Sequence, residues 1–456
     1  MSNAAAGDEI RRALLAHPRL QIPADLRRRG DELARENNAE SPRVRTGTRL
    51  STVLNMLNTM VGSGIFALPF CMSLSNPVVT TITLVAVAII SYIAMLTVGM
   101  VLPGFVFEDS YHAMASKLCR GPTTIRIIDW TLCLSLIGVV AMLLVVSYDC
   151  FSIELASVVP TSRPLSGLVL AAIGCVLSWP KSLHGMRFIS GVGVLLLISA
   201  WALVIATAVL GCPSEPEVPQ SQHTRGFIAN ASTILGTAML VFGCHVNLPR
   251  LYSELPLKTR PKMPIIMAFS IVIAITIYLA FALAAVSSPC FGYGQSSNTL
   301  LSLPHTTAFA ALRVGFGVIS LTKIPLAVHP IRHILLESTQ KSLTGPAYAF
   351  FTLAIIALAY ALFVTFTALS DITSVVGALG VLGSMMFFPS ILLYQSSKGY
   401  GMSAHSTALL SHGGSMTAGY WSIRQRRAVS IFLAVCGGIA AVVTLPGIVM
   451  KVFYFF

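Results

Sequence analysis

The sequence predicts an all-α integral membrane protein with eleven transmembrane helices. Apolar residues make up 55% of the chain and charged residues only 10%, which is unusual for a water-soluble domain. From about residue 50 onward, apolar segments of roughly 20 residues, the length that crosses a bilayer, follow one another along the chain. Two of these segments are interrupted by glycine and polar residues, as in membrane proteins that build a ligand site from helix ends.

The predicted spans divide the chain into a tail and a membrane region. Residues 1–49 contain no span and no apolar core of a signal peptide, so we predict a mobile cytoplasmic tail that is not cleaved. Residues 50–456 form a single membrane domain. Its spans are predicted near residues 50–72, 76–101, 126–149, 165–180, 188–211, 226–248, 265–288, 306–330, 346–368, 372–395 and 428–452.

Basic residues determine the predicted orientation. If the N-terminus is cytoplasmic, the inside loops contain most basic residues of the membrane region. The outside loops and the C-terminus then contain only Arg163, Arg225 and Lys451. Basic loops stay in the cytoplasm, so we predict a cytoplasmic N-terminus. The net charge of +13 follows from this orientation. A nucleic-acid partner is not required, because the basic residues are spread over separate loops.

The first span is interrupted near its middle. It contains Asn58, then Gly62-Ser63-Gly64, and Pro69 shortly afterwards. Glycines weaken a helix, and the N–H groups at the start of a second helical half attract a carboxylate. We therefore predict that Gly62, Ser63 and Gly64 bind a ligand carboxylate, and that Asn58 binds an amine or an ion. The alternative is a glycine-lined contact between packed helices.

The sixth span has a second interruption, at Phe242-Gly243-Cys244-His245, followed by Pro249. Breaks in the first and sixth spans are what an inverted repeat of five plus five helices predicts. Phe242, Gly243 and Cys244 are therefore predicted to line the same site. His245 is a candidate proton carrier, because an unperturbed histidine titrates near neutral pH. The alternative is a neutral histidine hydrogen-bonded across helices.

Several motifs, taken in order, resemble those of the amino acid/auxin permease family. They lie at residues 58–65, 244–255, 325–332, 372–377 and 388–390. The resemblance covers the whole membrane region and implies a LeuT-like fold of two inverted five-helix repeats plus an eleventh helix. This family includes sodium-coupled neutral, proton-coupled and vacuolar amino acid transporters. The resemblance therefore implies that residues 50–456 are a transporter domain that moves amino acids by alternating access.

Lys323 in the eighth span bears on energy coupling. In sodium-coupled relatives, a hydroxyl residue two places before a proline contributes to the sodium site. Pro325 resembles that proline, so Lys323 takes the hydroxyl position and Thr322 is displaced by one. A buried ammonium group could replace sodium and could release a proton. We therefore predict Lys323, His245 and Thr322 as coupling residues, and proton-coupled or sodium-independent transport. The alternative is a lysine that reaches a polar cavity without any coupling role.

Two cysteines fall in outside loops, Cys212 after the fifth span and Cys290 after the seventh. The environment there is oxidising, and some relatives bridge these two loops. The resemblance therefore implies a disulfide between Cys212 and Cys290.

No enzymatic motif accompanies these patterns, since metal spacings such as CxxC or HExxH and phosphate loops are missing from the sequence. We therefore predict neither an enzyme nor a cofactor. The expected partners are an amino acid substrate, protons and the lipid bilayer. No carboxylate lies near the centre of a predicted span, which slightly favours neutral substrates. The plasma membrane is favoured over a vacuolar or lysosomal membrane. The alternative function is an amino acid sensor that signals through its N-terminal tail.

Overall fold

The computed structural model describes residues 47–102, 110–119, 121–155, 162–179, 186–211, 226–256, 258–288, 296–339, 345–398 and 422–453. These residues form helices and their connections, with no β-strand among them. The predicted all-α class is therefore confirmed. The tail predicted at residues 1–49 lies outside the described residues up to residue 46.

Described helices overlap each of the predicted spans, although some of their ends differ. They are Arg49–Met60 with Ser63–Ala67 and Leu68–Ser73, Pro77–Val101, Pro122–Glu154, Arg163–Leu177, Met186–Leu210, Phe227–Val241 with Leu248–Glu254, Met263–Ser287, Thr307–Thr339, Gly345–Thr365, Leu369–Val376 with Phe388–Ser397, and Ile423–Phe453. Within the described residues, eight helices are long and apolar enough to cross a membrane, and the bent pair Arg49–Met60 and Ser63–Ser73 can form a ninth span. Shorter apolar helices, Arg163–Leu177 and Leu195–Leu210, occupy the fourth and fifth predicted spans.

Local sequence explains where the first helix begins. Thr48 caps the helix Arg49–Met60: its hydroxyl oxygen accepts from the Ser51 backbone N–H, and the Ser51 hydroxyl accepts from the Thr48 N–H. This reciprocal capping box satisfies two of the backbone donors that a helix start leaves unpaired. The first span therefore begins where the predicted boundary near residue 50 places it.

The eighth helix is longer than predicted. The predicted span ends near residue 330, but the helix continues through Pro325 and Pro330 to Thr339. Each proline removes one backbone donor. In a membrane bundle, neighbouring helices and side chains can satisfy the groups that are freed. The expected helix end is therefore wrong.

Two further elements differ from the predicted spans. The sixth span does not end near residue 248, because a new helix starts at Leu248 and runs to Glu254, with Pro249 in its first turn. Proline favours that position, where its missing N–H removes no intrahelical bond.

The second difference is a short helix, Tyr111–Leu118, between the second and third spans. This helix has too few consecutive apolar residues to be predicted as a span.

The tenth span contains two π-helical turns, Gly377–Val381 and Gly383–Phe387. A Cβ atom at Gly377 would lie 1.8 Å from the carbonyl oxygen of Gly236 in the sixth span. The two backbones therefore touch, which only glycine permits at this position. This contact places the tenth span directly beside the first half of the interrupted sixth span.

Candidate functional site

The structure interrupts the first and sixth spans. In the first, Arg49–Met60 ends before Gly62, and Ser63–Ser73 continues at an angle of 44°. In the sixth, Phe227–Val241 is followed by three non-helical residues, and helical turns resume at His245. The first N–H groups of each resumed segment lack intrahelical acceptors. These groups are available to a ligand.

A cavity of about 440 Å³ lies at these interruptions. The first, third, sixth, eighth and tenth spans contribute its walls. Of the predicted site residues, the structure brings six together around this cavity: Asn58, Gly62, Ser63, Gly64, Gly243 and Lys323. The Ser63 hydroxyl oxygen is buried and has no hydrogen-bond partner among the described residues. The wall therefore contains an unsatisfied polar atom at the start of a helical segment.

The three glycines at the interruptions have different surroundings. A Cβ atom at Gly62 would meet no atom within 4 Å, so this position borders open space. A Cβ atom at Gly64 would lie 3.3 Å from Cγ1 of Val241, and one at Gly243 would lie 2.9 Å from Cγ1 of Val381. Gly62 therefore leaves room in the cavity, whereas Gly64 and Gly243 also allow the spans to pack closely.

Phe242 and Cys244 do not line the cavity. The Phe242 ring is fully buried, with its centroid 5.3 Å from that of Tyr278 in the seventh span. The Cys244 sulfur lies 3.4 Å from the sulfur of Met95 in the second span. Both side chains therefore pack between spans, behind the cavity wall.

His245 also lies away from the cavity. It is fully buried, and its Nε2 atom is 3.1 Å from the Ser91 carbonyl oxygen in the second span. Its Nδ1 atom has no hydrogen-bond partner among the described residues. This contact matches the alternative interpretation, a histidine bonded across helices.

Lys323 reaches the cavity from the eighth helix. Its Nζ atom lies beside Gly193 of the fifth span, where a Cβ atom would be 3.5 Å away. Within the described part of the chain, its ammonium group has no hydrogen-bond or ion-pair partner. Thr322 is not a cavity residue, and its hydroxyl donates to the Ile319 carbonyl oxygen. Lys323 therefore lines the cavity, whereas the side chain of the adjacent Thr322 is bonded to its own helix.

The sequence did not identify the contributions of the third and tenth spans to the cavity. Val139, Met142 and Ser135 line it from the third span, and Ser384 lines it from the tenth. Ser135 and Ser384 are polar residues within otherwise apolar spans, and this pattern could have identified them as cavity residues. The predicted cysteine pair, Cys212 and Cys290, lies outside the described residues.

The two halves of the first span differ in exposure. Asn55, a lining residue of the cavity on the helix Arg49–Met60, is exposed. Beyond the interruption, the Phe66 ring is fully buried and packs against Phe281 and Phe316, at centroid distances of 5.9 and 4.8 Å. Thr299 donates a hydrogen bond of 2.7 Å to the Phe66 carbonyl oxygen. The first half of the span therefore borders the cavity at an exposed position, whereas the second half is tightly packed.

Interrupted spans around a cavity in the middle of a helical membrane bundle define a transporter. Residues 45–409 match the family model described as transmembrane amino acid transporter protein. This match covers more than half of the chain, so the chain belongs to that family. It is a multi-pass membrane protein of a transporter family and not an enzyme.

Individual relatives are distant. The chain is 22% identical over 407 residues to vacuolar amino acid transporter 5 of Schizosaccharomyces pombe, covering 87% of this chain and 93% of the relative. It is 22% identical over 357 residues to putative sodium-coupled neutral amino acid transporter 11 of Danio rerio, covering 75% and 77%. Among solved structures, the manganese transporter of Eremococcus coleocola matches with a TM-score of 0.52 at 11% identity, covering 88% of this chain and 94% of that one. That likeness supports the LeuT-like fold.

Proposed function

We propose that this protein moves amino acids across a membrane by alternating access, with the substrate bound at the interruptions of the first and sixth spans. The family supports amino acids as the substrate class. The main evidence for the binding site is that the buried Ser63 hydroxyl has no hydrogen-bond partner among the described residues. It adjoins the free N–H groups of a helical start, and a substrate carboxylate would satisfy both kinds of donor.

Alternating access is supported by the difference between the two halves of the first span. Exposed Asn55 lines the cavity in the first half, whereas Phe66 in the second half is buried and bonded to Thr299. With the N-terminus in the cytoplasm, as proposed from the loop charges, the exposed first half faces the cytoplasm. The opposite conformation would require Phe66 and Thr299 to separate from their neighbours. We favour the plasma membrane as the location.

The charges of the cavity favour neutral over cationic amino acids. Lys323 and Arg250 line it, and no aspartate or glutamate is found among its described lining residues. A cationic side chain would therefore meet like charges without a compensating carboxylate. Lys323 is also our preferred coupling residue over His245, because it reaches the cavity. Its ammonium group would replace a sodium ion and would be able to release a proton, so transport would be proton-coupled or sodium-independent.

Uptake of labelled amino acids into proteoliposomes tests this proposal. We expect saturable uptake of neutral amino acids, with arginine and lysine as weak competitors. Ser63→Ala should weaken substrate binding by about tenfold, the cost of losing a hydrogen bond to a charged group. Ser73→Ala is the matched control, because the Ser73 hydroxyl bonds to the Phe70 carbonyl oxygen and does not line the cavity.

The sensor alternative predicts a different result. A sensor would bind an amino acid without moving it, and removal of residues 1–46 would abolish signalling. Specific binding without uptake in sealed proteoliposomes would support the sensor. Uptake that persists after removal of the tail would support the transporter.

A further inference from the structure

Residues 296–303, which we call the covering segment, pack on the second half of the first span. It contains the short helix Thr299–Ser302. Hydrogen bonds hold it to three different spans. Thr299 donates to the Phe66 carbonyl oxygen at 2.7 Å, Asn298 donates to the Asp149 carboxylate at 2.9 Å, and Arg313 donates to the Leu303 carbonyl oxygen at 2.9 Å.

The orientation of the Asn298 side chain is determined by its second bond. Its Oδ1 atom accepts from the Leu300 N–H at 3.2 Å and so caps the short helix. Only the amide nitrogen, a donor, can therefore face Asp149. Asp149 is 6% exposed and Asn298 is fully buried, so water does not readily replace this bond. The Asp149 oxygen that faces Asn298 must act as an acceptor.

Asp149 differs from its neighbouring carboxylate, Glu154. Glu154 forms a direct ion pair with Arg313. Asp149 has no cation within ion-pair distance among the described residues, and its bonded partner there is the neutral amide of Asn298. A proton can therefore bind to Asp149 without breaking an ion pair.

Other charged and titratable groups surround Asp149. They are Tyr148, Cys150 and Glu154 on its own helix, Arg163 at the start of the fourth helix, and Arg313 on the eighth helix. The Arg163 guanidinium lies over the Tyr148 and Phe363 rings, at 5.0 and 4.6 Å, and donates to the Phe366 carbonyl oxygen. Arg163 therefore influences Asp149 from a distance and does not replace Asn298 as its partner.

We infer that Asp149 is a proton-binding residue whose protonation releases the covering segment. The ionised carboxylate accepts a charge-assisted hydrogen bond from Asn298, which is about twice as strong as a neutral one. When Asp149 binds one proton from solution, the carboxylate becomes a neutral acid. The protonated oxygen is then a donor facing the Asn298 donor, and the segment keeps at most a neutral bond to the other oxygen.

The covering segment connects this proton site to the substrate site. Thr299, next to Asn298, bonds to Phe66, which lies two residues after Gly64 at the interruption of the first span. Release of the segment would therefore free the second half of the first span. This role in coupling proton binding to amino acid transport rests on the function proposed above, but the proton site itself can be tested without transport.

Hydrogen–deuterium exchange of peptides covering residues 296–303 tests the inference in the purified full-length protein. After correction for intrinsic exchange, the wild-type segment should exchange faster at about pH 5 than at about pH 8, by on the order of tenfold. Asp149→Asn should exchange at a rate that does not depend on pH. Asp129→Asn is the matched control, since Asp129 is a buried carboxylate of the same helix that pairs with His112, away from the segment.

A charge swap distinguishes loss of the proton site from a general loss of structure. Asp149→Asn combined with Asn298→Asp places the carboxylate on the covering segment, and it should restore both protection and pH dependence. Equal wild-type exchange at the two pH values would overturn the inference. So would a pH dependence that persists in Asp149→Asn, which would point to another group such as His305, or an equal effect of Asp129→Asn. Normal exchange behaviour without amino acid uptake would instead count against the proposed function alone.

Discussion

The Nζ atom of Lys451 lies 3.1 Å from Oδ1 of Asp371, and both side chains are only 8% exposed. The same ammonium group donates to the hydroxyls of Thr233, at 2.8 Å, and Ser374, at 2.7 Å. One lysine of the eleventh helix is therefore bonded to the tenth span and to the first half of the sixth. The helix that lies outside the two repeats is thus attached to a span that frames the cavity.

The Lys451 contacts predict a large effect on stability. Lys451→Met leaves the Asp371 carboxylate buried without its lysine partner, and we expect a loss of about 3–5 kcal/mol. Thermal unfolding of the purified protein measures this loss. The double variant Lys451→Met with Asp371→Asn should recover much of it. Lys262→Met, at an exposed lysine, is the control, and an equal loss there would contradict the assignment.

The open space at Gly62 predicts a selective loss of binding. Gly62→Val should fold normally, because its Cβ atom meets no neighbour within 4 Å. The added side chain would occupy the space beside the free N–H groups, and we expect a loss of affinity of at least about tenfold. Equilibrium binding of labelled substrate to purified protein measures it.

Two comparisons make this prediction specific. Gly438→Val adds the same side chain at a position with equally open space on the eleventh helix, outside the cavity, and should bind normally. Gly64→Val should lose binding together with some stability, because its Cβ atom contacts Val241. Normal binding by both Gly62→Val and Gly64→Val would reject the substrate site.

Lys323 predicts sodium independence. Replacement of external sodium by choline should leave uptake nearly unchanged if, as we propose, the Lys323 ammonium group takes the place of the ion. Lys323→Ala should lose activity or the pH dependence of uptake. His245→Ala should mainly lose stability, because His245 bonds to the Ser91 carbonyl oxygen away from the cavity. A strict sodium requirement of the wild type would refute the substitution argument.

The proposed disulfide between Cys212 and Cys290 is checked by mass spectrometry. Peptide mapping of non-reduced protein from the cell surface should recover the two cysteines in one linked peptide pair. Recovery of both as free thiols in the same sample would show that the two loops are not bridged.

The interruptions could be predicted because their cause is local. Gly62-Ser63-Gly64 weakens the helix wherever the span is placed, and Pro249 favours a new helical start. The directions of the neighbouring side chains could not be predicted. After three non-helical residues the rotation of the resumed helix is no longer set by the preceding turns. The position of His245 against Ser91, away from the cavity, therefore depends on how the sixth span packs against the second.

The membrane class, the approximate positions of the apolar helices and the two interruptions could be predicted from the amino-acid sequence. These features depend on composition and spacing within about 20 residues. Which polar groups meet inside the bundle became known from the folded structure. Asp149 and Asn298 are 149 positions apart in the chain, and Arg313 and Glu154 are 159 apart. A buried polar group needs a hydrogen-bond partner because burial removes water. Which distant residue becomes that partner depends on how the helices pack.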